Sequence, residues 1–366
     1  MGKYIYQNTA WPAFHWRDDR IAQLLATVRH KQGRLIGRME SLGFGLKSEA
    51  ILGTLTLDVL KSSEIEGEIL NPDQVRSSIA RRLGMNIAGL IPADRHVDGV
   101  VEMMLDATQH YNQPLTDERL FGWHSCMFPT GRSGMYKIAV GQWRSGAMQV
   151  VSGGMGNEKI HFEAPAAQSL TQEMQKFTNW FNQTMDIDPV LKAAIAHFWF
   201  VTIHPFDDGN GRIARAIADL QLARADETSQ RFYSMSAQIQ KERAAYYKIL
   251  ETSQKGTLDI TDWLEWFLSC LERAIGASDE LLAVVLQKAR FWDSHANAGL
   301  NVRQNLMLNK LLDGFDGKLT SSKWAKIAKC SQDTALRDIQ DLIEKDILMK
   351  EDSGGRSTSY VLKTIQ

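Results

Sequence analysis

Between residues 204 and 215 the chain reads His-Pro-Phe-Asp-Asp-Gly-Asn-Gly-Arg-Ile-Ala-Arg, which brings an imidazole, two carboxylates, an amide, two glycines and two guanidinium groups together. Glycine lets backbone N–H groups approach an anion closely, and a helix opening at Arg212 would point its partially positive end at that anion. Gly209, Asn210 and Gly211 are therefore a candidate phosphate cradle. Asp208 adds a hard oxygen of the kind Mg²⁺ uses when it binds phosphates through one or two carboxylates. Arg212 and Arg215 are three residues apart, so on a helix they share a face and can both reach polyphosphate oxygens. His204 stands just ahead of the cradle; an imidazole with an ordinary pKa near 6.5 can take a proton from an incoming hydroxyl at neutral pH. Together these groups describe nucleotide-dependent transfer onto an alcohol. The competing reading is a plain turn, because glycine and asparagine form turns and His-Pro stops a helix.

The chain that must position these groups has 366 residues, room for two or three domains. Its 42 Lys and Arg balance 43 Asp and Glu, so no global field draws it to nucleic acid. Cys126, Cys270 and Cys330 are far apart and form no CxxC pair, which argues against a disulfide framework or a zinc site and fits a reducing compartment. No basic-then-apolar leader opens the chain, and no apolar run approaches the roughly 18 residues that span a bilayer. The expectation is a soluble, cytoplasmic protein without membrane partners.

Apolar spacing predicts helices over most of the length. After an aromatic arm (Tyr4, Tyr6, Trp11, Pro12, Phe14), helices are expected from Trp16 to Met39, from Lys47 to Glu66, and from Pro72 to Arg82 behind an Asn71 N-cap. Further helices are expected at Val97–Gln109, at Asp117–Cys126 behind Thr116, at Gln168–Asn182 and at Pro189–Ile203. The last is apolar nearly all round and should be buried. Met148–Val151 and Lys159–Phe162 read as a hairpin around Ser152-Gly153-Gly154-Met155-Gly156-Asn157, the one β element expected before the C-terminus. Helices Ile213–Ala223, Ala237–Gln254 and Ile260–Leu286 follow, then a small, polar linker near Ser294–Gly299. Beyond it, Asn305–Leu312, Ser322–Ala328 and a Ser331-capped helix to Lys345 precede two short strands, Ile347–Lys350 and Thr358–Leu362, around Asp352-Ser353-Gly354-Gly355-Arg356. That order describes a winged helix-turn-helix.

The stretch at 204–215 matches the HPFx(D/E)GNGRxxR signature, so the chain resembles the Fic family, whose members most often move AMP from ATP to a protein hydroxyl. The resemblance implies a mainly α, Fic-type helical core with a β-hairpin flap, an N-terminal helical region (1–95), a catalytic core (96–295) and a winged helix (302–366). It implies that His204 is the general base, Asp208 the Mg²⁺ ligand, and Asn210 with the Gly209 and Gly211 amides the anion cradle. Arg212 would hold the outer phosphates, Phe206 would anchor the core, and Tyr247 and Gln254 fall where related enzymes contact adenine. Asp207 sits at a variable position and receives no role.

Ser62-Ser63-Glu64-Ile65-Glu66-Gly67 fits the family's (S/T)xxxE(G/N) inhibitory motif, which implies that Glu66 competes with ATP for Arg215. Gln149, Val150 and Val151 on the hairpin are the expected docking edge for a target strand. The partners so implied are ATP and a target protein, itself included, with a homodimer also open. Removal of AMP, transfer of another phosphate-containing group, and a DNA-binding regulator stand as alternatives. Against the last, Lys and Arg barely outnumber Asp and Glu beyond residue 300, and the third C-terminal helix carries Asp333, Asp338, Asp341 and Glu344. His197 is expected to be a satisfied core histidine, and His124 and His161 have no evident ligand-like neighbours.

Overall fold

The computed structural model describes residues 4–85, 87, 89–152, 159–312, 314, 315, 317–351 and 358–363. It is mainly α, as the apolar spacing predicts. After one 3-10 turn at Ile5–Gln7 come α1 (Asp18–Glu40), α2 (Phe44–Ile65) and α3 (Pro72–Arg82), the last capped by Asn71, whose side chain accepts the Gln74 N–H. Asp94 caps α4 (Arg95–Gln109) and Thr116 caps α5 (Asp117–Met127) in the same way. Two antiparallel ribbons follow, β1 (Arg132–Ser133) with β2 (Tyr136–Lys137), and β3 (Gln149–Ser152) with β4 (Lys159–Glu163). The first ribbon was not expected, because two-residue strands carry no alternation to read. Of the expected hairpin turn, residues 153–157 lie outside the described residues.

The chain continues through α6 (Leu170–Asn182), α7 (Pro189–Ile203), α8 (Asn210–Asp226), α9 (Met235–Lys241), α10 (Arg243–Gln254) and α11 (Thr261–Ser294). The single helix expected over 237–254 is two, broken at Glu242 (φ −111°, ψ 23°), whose carboxylate takes two 2.6 Å bonds from Arg273. Similarly, α8 starts at Asn210 rather than Ile213, and α11 runs on into the expected linker.

Residues Met1–Met85 and Ile91–Asp279 form one compact unit. Its hub is α7, where every residue from Val190 to Ile203 is buried, packed along α8. Burying a large apolar side chain such as Phe198, Phe200 or Ile217 contributes roughly 1.5–3 kcal/mol each. Within this unit α2, from the expected N-terminal helical region, packs on α3, α4, α8 and α9. Asp58 on α2 fixes that packing: buried, it accepts from the Ser234 hydroxyl and, at 3.2 Å, from the Ser236 N–H.

Asn86–Leu90 and Glu280–Gln366 form a second unit. It contains α12 (Val302–Leu312), α13 (Ser321–Ile327), α14 (Gln332–Glu344) and the antiparallel pair β5 (Leu348–Lys350) and β6 (Tyr360–Leu362), around Trp324, Met307, Leu308, Ile339 and Leu342. The expected turn at residues 352–356 lies outside the described residues. Asp338, read from sequence as part of a phosphate-repelling face, is instead buried and held by Arg303 at 2.6 and 2.9 Å. Among the described residues, no helix is long and apolar enough to cross a membrane.

Candidate active site

His204 ends α7 in the left-handed region (φ 52°, ψ 58°), a conformation that costs a non-glycine residue of order 1–3 kcal/mol and needs outside support. Arg144 supplies it. Its side chain is buried and donates from Nε to the His204 carbonyl (2.8 Å) and from its two Nη atoms to Gly146 (2.7 Å) and Pro165 (2.6 Å), and its backbone N–H donates to Pro205 (2.9 Å). The His204 Nδ1 lies 3.1 Å from the Val201 carbonyl, an acceptor, so Nδ1 carries the proton and Nε2 is left with its lone pair. Burial pushes the His204 pKa below its ordinary value, the Val201 carbonyl opposing. The site therefore holds a neutral imidazole with a basic nitrogen.

Gly209 follows in the left-handed region (φ 80°), where a Cβ would meet the Phe128 ring at 2.9 Å. As the N-cap of α8 it offers no side chain, so the first N–H groups of that helix are left to face an anion. Asn210, expected in the cradle, turns its amide the other way: Oδ1 accepts the Phe206 N–H at 2.9 Å and Nδ2 donates to the Phe206 carbonyl at 2.8 Å. What it does is close the loop on itself. Asn210→Ala would leave two buried backbone groups unpaired and is expected to destabilise the first unit by about 2–4 kcal/mol; an unchanged thermal midpoint would refute this.

Asp208 faces the cradle. Its Oδ1 accepts the Gly209 N–H at 2.5 Å and its Oδ2 the Ser133 hydroxyl from β1. Among the described residues no group of three or more His, Cys, Asp or Glu is placed to cage a metal. A carboxylate beside the uncapped start of a helix nonetheless suits Mg²⁺, which keeps waters and needs only one or two protein carboxylates. Asp207 accepts the Ala139 N–H at 2.8 Å. His124 stacks on Phe206, with ring centres 4.2 Å apart, and bridges the Gly141 N–H and the Asp208 carbonyl; burial pulls its pKa down to about 4, so it is a neutral strut.

The two arginines of α8 are both occupied. Arg215, buried, donates from Nη2 to Glu66 Oε1 (2.7 Å) and the Ser62 carbonyl (2.8 Å) and from Nε to the Ser62 hydroxyl (2.9 Å). Burial alone would lower its pKa, but Glu66 keeps it above the ordinary value. Arg212 lies over the Phe128 ring and donates from Nη1 to Glu68 Oε2 at 2.7 Å, while Glu68 Oε1 lies 2.5 Å from His96 Nε2. Glu68 holds the His96 pKa up, and although burial would raise that of Glu68, His96 and Arg212 keep it low.

A single turn delivers both glutamates. Gly67, in the left-handed region (φ 85°), ends α2; its N–H returns to Glu64 (2.9 Å) and that of Glu68 to Ser63 (3.0 Å), a Schellman arrangement. The residues on either side of Gly67 are thereby aimed at α8. Gly211 is where the fit is tightest, since a Cβ there would stand 2.2 Å from Glu66 Oε1.

These groups border a cavity of about 720 Å³. Glu66, His204, Asp208, Gly209, Asn210 and Gly211 line it together with Gln149, Val150 and Val151 from the hairpin and Tyr247 and Gln254 from α10; Arg212 and Arg215 are not among its lining residues. Tyr247 donates to the Ile65 carbonyl (3.3 Å), and Gln254, buried rather than solvated, donates to Thr202 (3.3 Å). His197 is buried in the core as expected but only half satisfied: Nε2 lies 2.9 Å from the Tyr246 hydroxyl, Nδ1 has no partner among the described residues, and burial pulls its pKa down to about 3. His161, by contrast, has close neighbours: Ser152 Oγ at 2.5 Å from Nε2 and Glu251 Oε2 at 2.8 Å from Nδ1. Sequence reasoning missed Arg144, Ser133 and Glu68. Only Glu68 left a signal, a second carboxylate across the glycine that stops α2.

Residues 114–222 match the model of the Fic/DOC family, and residues 4–85 match DUF4172, a domain of unknown function. Curated proteins named protein adenylyltransferase Fic, from Drosophila grimshawi and Drosophila mojavensis, are each 34% identical over 113 residues, which is 30% of this chain and 22% and 21% of theirs. The match thus spans about a fifth of the length of those relatives. A solved Fic family protein from Desulfovibrio desulfuricans is similar over 96% of this chain and 98% of its own, with a TM-score of 0.53 at 19% identity. A Fic-domain signaling protein from Bacteroides thetaiotaomicron covers 72% of this chain and 97% of its own, with a TM-score of 0.51 at 21% identity. At these identities the likeness is one of fold.

Proposed function

We propose that this chain, the bearer of a Fic/DOC domain, transfers AMP from ATP to a hydroxyl side chain of a target protein. One observation carries the reading: His204, whose Nδ1 lies against the Val201 carbonyl, lines the same cavity as the uncapped start of α8 and the Asp208 carboxylate. In this reading Nε2 takes the proton of the target hydroxyl as its oxygen attacks the α-phosphorus. The bond to the bridging oxygen breaks and pyrophosphate leaves. The α8 N–H groups hold the phosphates in line, and Tyr247 and Gln254 flank the base. Asp208 would hold Mg²⁺, which when bound offsets phosphate charge. The β3 edge at Gln149, Val150 and Val151 would receive the target as an added strand.

In the same reading Glu66 restrains the reaction by keeping Arg215 from the γ-phosphate, and Glu68 does the same to Arg212. Because Glu66 also lines the cavity, it is placed to orient a water, so removal of AMP is the second reading. For the C-terminal unit, three helices followed by an antiparallel strand pair support a winged helix, and a protein-contact role is preferred to DNA binding.

The test uses ATP labelled at the α- or the γ-phosphate, with the full chain carrying Glu66→Gly, which lifts the proposed restraint, in a cell lysate. Protein label from the α position alone is expected. Retained γ label would mean phosphoryl transfer, and loss of label from previously modified protein would mean removal; either would overturn the proposal.

A further inference from the structure

Across β3 and β4 only Phe162 is fully buried; the neighbouring strand residues are exposed or half-buried. A two-stranded ribbon is marginal in water unless something packs on it, so whatever covers Phe162 decides how the ribbon is held. The cover comes from the first residues of the chain. The Tyr4 ring meets Phe162 edge-on at 5.1 Å and the Tyr6 ring at 6.1 Å, the two tyrosines stack 5.9 Å apart, and Met148, Val150 and Ala164 complete the cluster.

The arm is itself well fixed. Ile5 is buried, and the Gln7 side chain accepts the Tyr4 N–H at 3.1 Å. From there the arm crosses to the catalytic helix: Trp11 meets Trp199 at 6.1 Å and donates to Glu173 at 2.7 Å, and Phe14 lies 5.9 Å from Phe198 and 5.7 Å from Trp199. Phe198 and Trp199 sit on α7, whose C-terminal residue is followed by His204. One continuous segment therefore joins the helix that presents the base to the ribbon that flanks the same cavity. A polar attachment of the ribbon runs from Glu251 on α10 to His161 on β4, which in turn meets Ser152 on β3.

We propose that residues 4–14 are a brace setting the angle and distance of the β3 edge relative to His204, with Tyr4 and Tyr6 as positioning residues for the target protein. The inference rests on the reading of β3 as the docking edge. Without the tyrosines the ribbon keeps its polar attachment but loses its apolar seat, so target binding suffers while the nucleotide contacts of α8 and α10 stay in place.

The experiment compares full-length Tyr4→Ala/Tyr6→Ala with Tyr4→Phe/Tyr6→Phe, both carrying Glu66→Gly. Amide hydrogen exchange is read across β3, β4 and α7, ATP affinity by calorimetry, and α-label incorporation as lysate protein is titrated. In the alanine variant, exchange in β3 and β4 should accelerate at least about tenfold and half-maximal labelling should need at least about tenfold more lysate, the scale of a single lost aromatic contact pair where this variant loses three. Amides of α7 and ATP affinity should be unchanged, and the phenylalanine variant, which keeps both rings on Phe162, should stay nearer the parent than the alanine variant does. Unchanged ribbon exchange, or faster exchange with unchanged labelling, overturns the brace, as does an equal loss of ATP affinity. Absence of label in every variant would sink the transfer reading, while the exchange comparison still decides whether the arm holds the ribbon.

Discussion

His204→Ala is expected to lower AMP transfer by about 10²–10⁴-fold, the range that a positioned general base contributes, with ATP affinity nearly unchanged because the cradle is backbone. His204→Asn is the folding control, since asparagine tolerates the left-handed conformation found there. The pH profile separates a base from a merely structural residue. Burial lowers the His204 pKa, so the imidazole stays neutral to a lower pH than usual. Transfer should hold level as pH falls through the ordinary imidazole value near 6.5 and decline only below it. An acid limb at or above that value, or a His204→Asn enzyme with the same limb and rate, would remove His204 from the role.

The second large effect concerns the two glutamates. A hydrogen bond to a charged group is worth about 1.5–3 kcal/mol, so freeing one guanidinium should change apparent ATP affinity or labelling rate by about 10–100-fold. Glu66→Gly releases Arg215 from its carboxylate while Ser62 still holds it through two contacts. Glu68→Gln weakens the hold on Arg212, leaving His96 without its charged partner. Each single variant should activate, and the double variant should exceed either, because the carboxylates hold different arginines. A double-mutant cycle on labelling rate and ATP dissociation constant measures this. Labelling unchanged in Glu66→Gly would end the restraint reading; Glu68→Gln that lowers activity instead would make Glu68 a support for Arg212.

What the sequence disclosed, it disclosed where one local rule was sufficient. Asn71, Thr116, Ser331 and the Pro189 start are legible because a cap or an N-terminal proline is a two-residue event. The residues from His204 to Arg215 stand out as a candidate site because glycine, amide and guanidinium are crowded together. Arg144 was not legible: it is 60 residues from His204, and only the folded backbone shows that the strained carbonyl needs a donor. For the same reason Asn210 was read as a ligand for anions when its amide is committed to Phe206 four residues earlier. Spacing shows which groups share a neighbourhood, but tertiary context shows which of their bonding positions are already taken.

The Gly67 turn has a consequence for how the restraint would be lifted. Both glutamates depend on one backbone conformation, closed by two N–H bonds at the end of α2, while Asp58 fastens the body of that helix two turns upstream. Fraying of the last turn would therefore withdraw both carboxylates at once, leaving Arg215 only its Ser62 contacts and the helix docked. The released fraction would follow the equilibrium of a helix end, of order a few kcal/mol or less, and would rise with temperature or with any partner that captures the unwound turn. Activity restrained in this way would be set by the local melting of four residues, and sequence changes upstream that stiffen or soften α2 would tune it without touching the cavity.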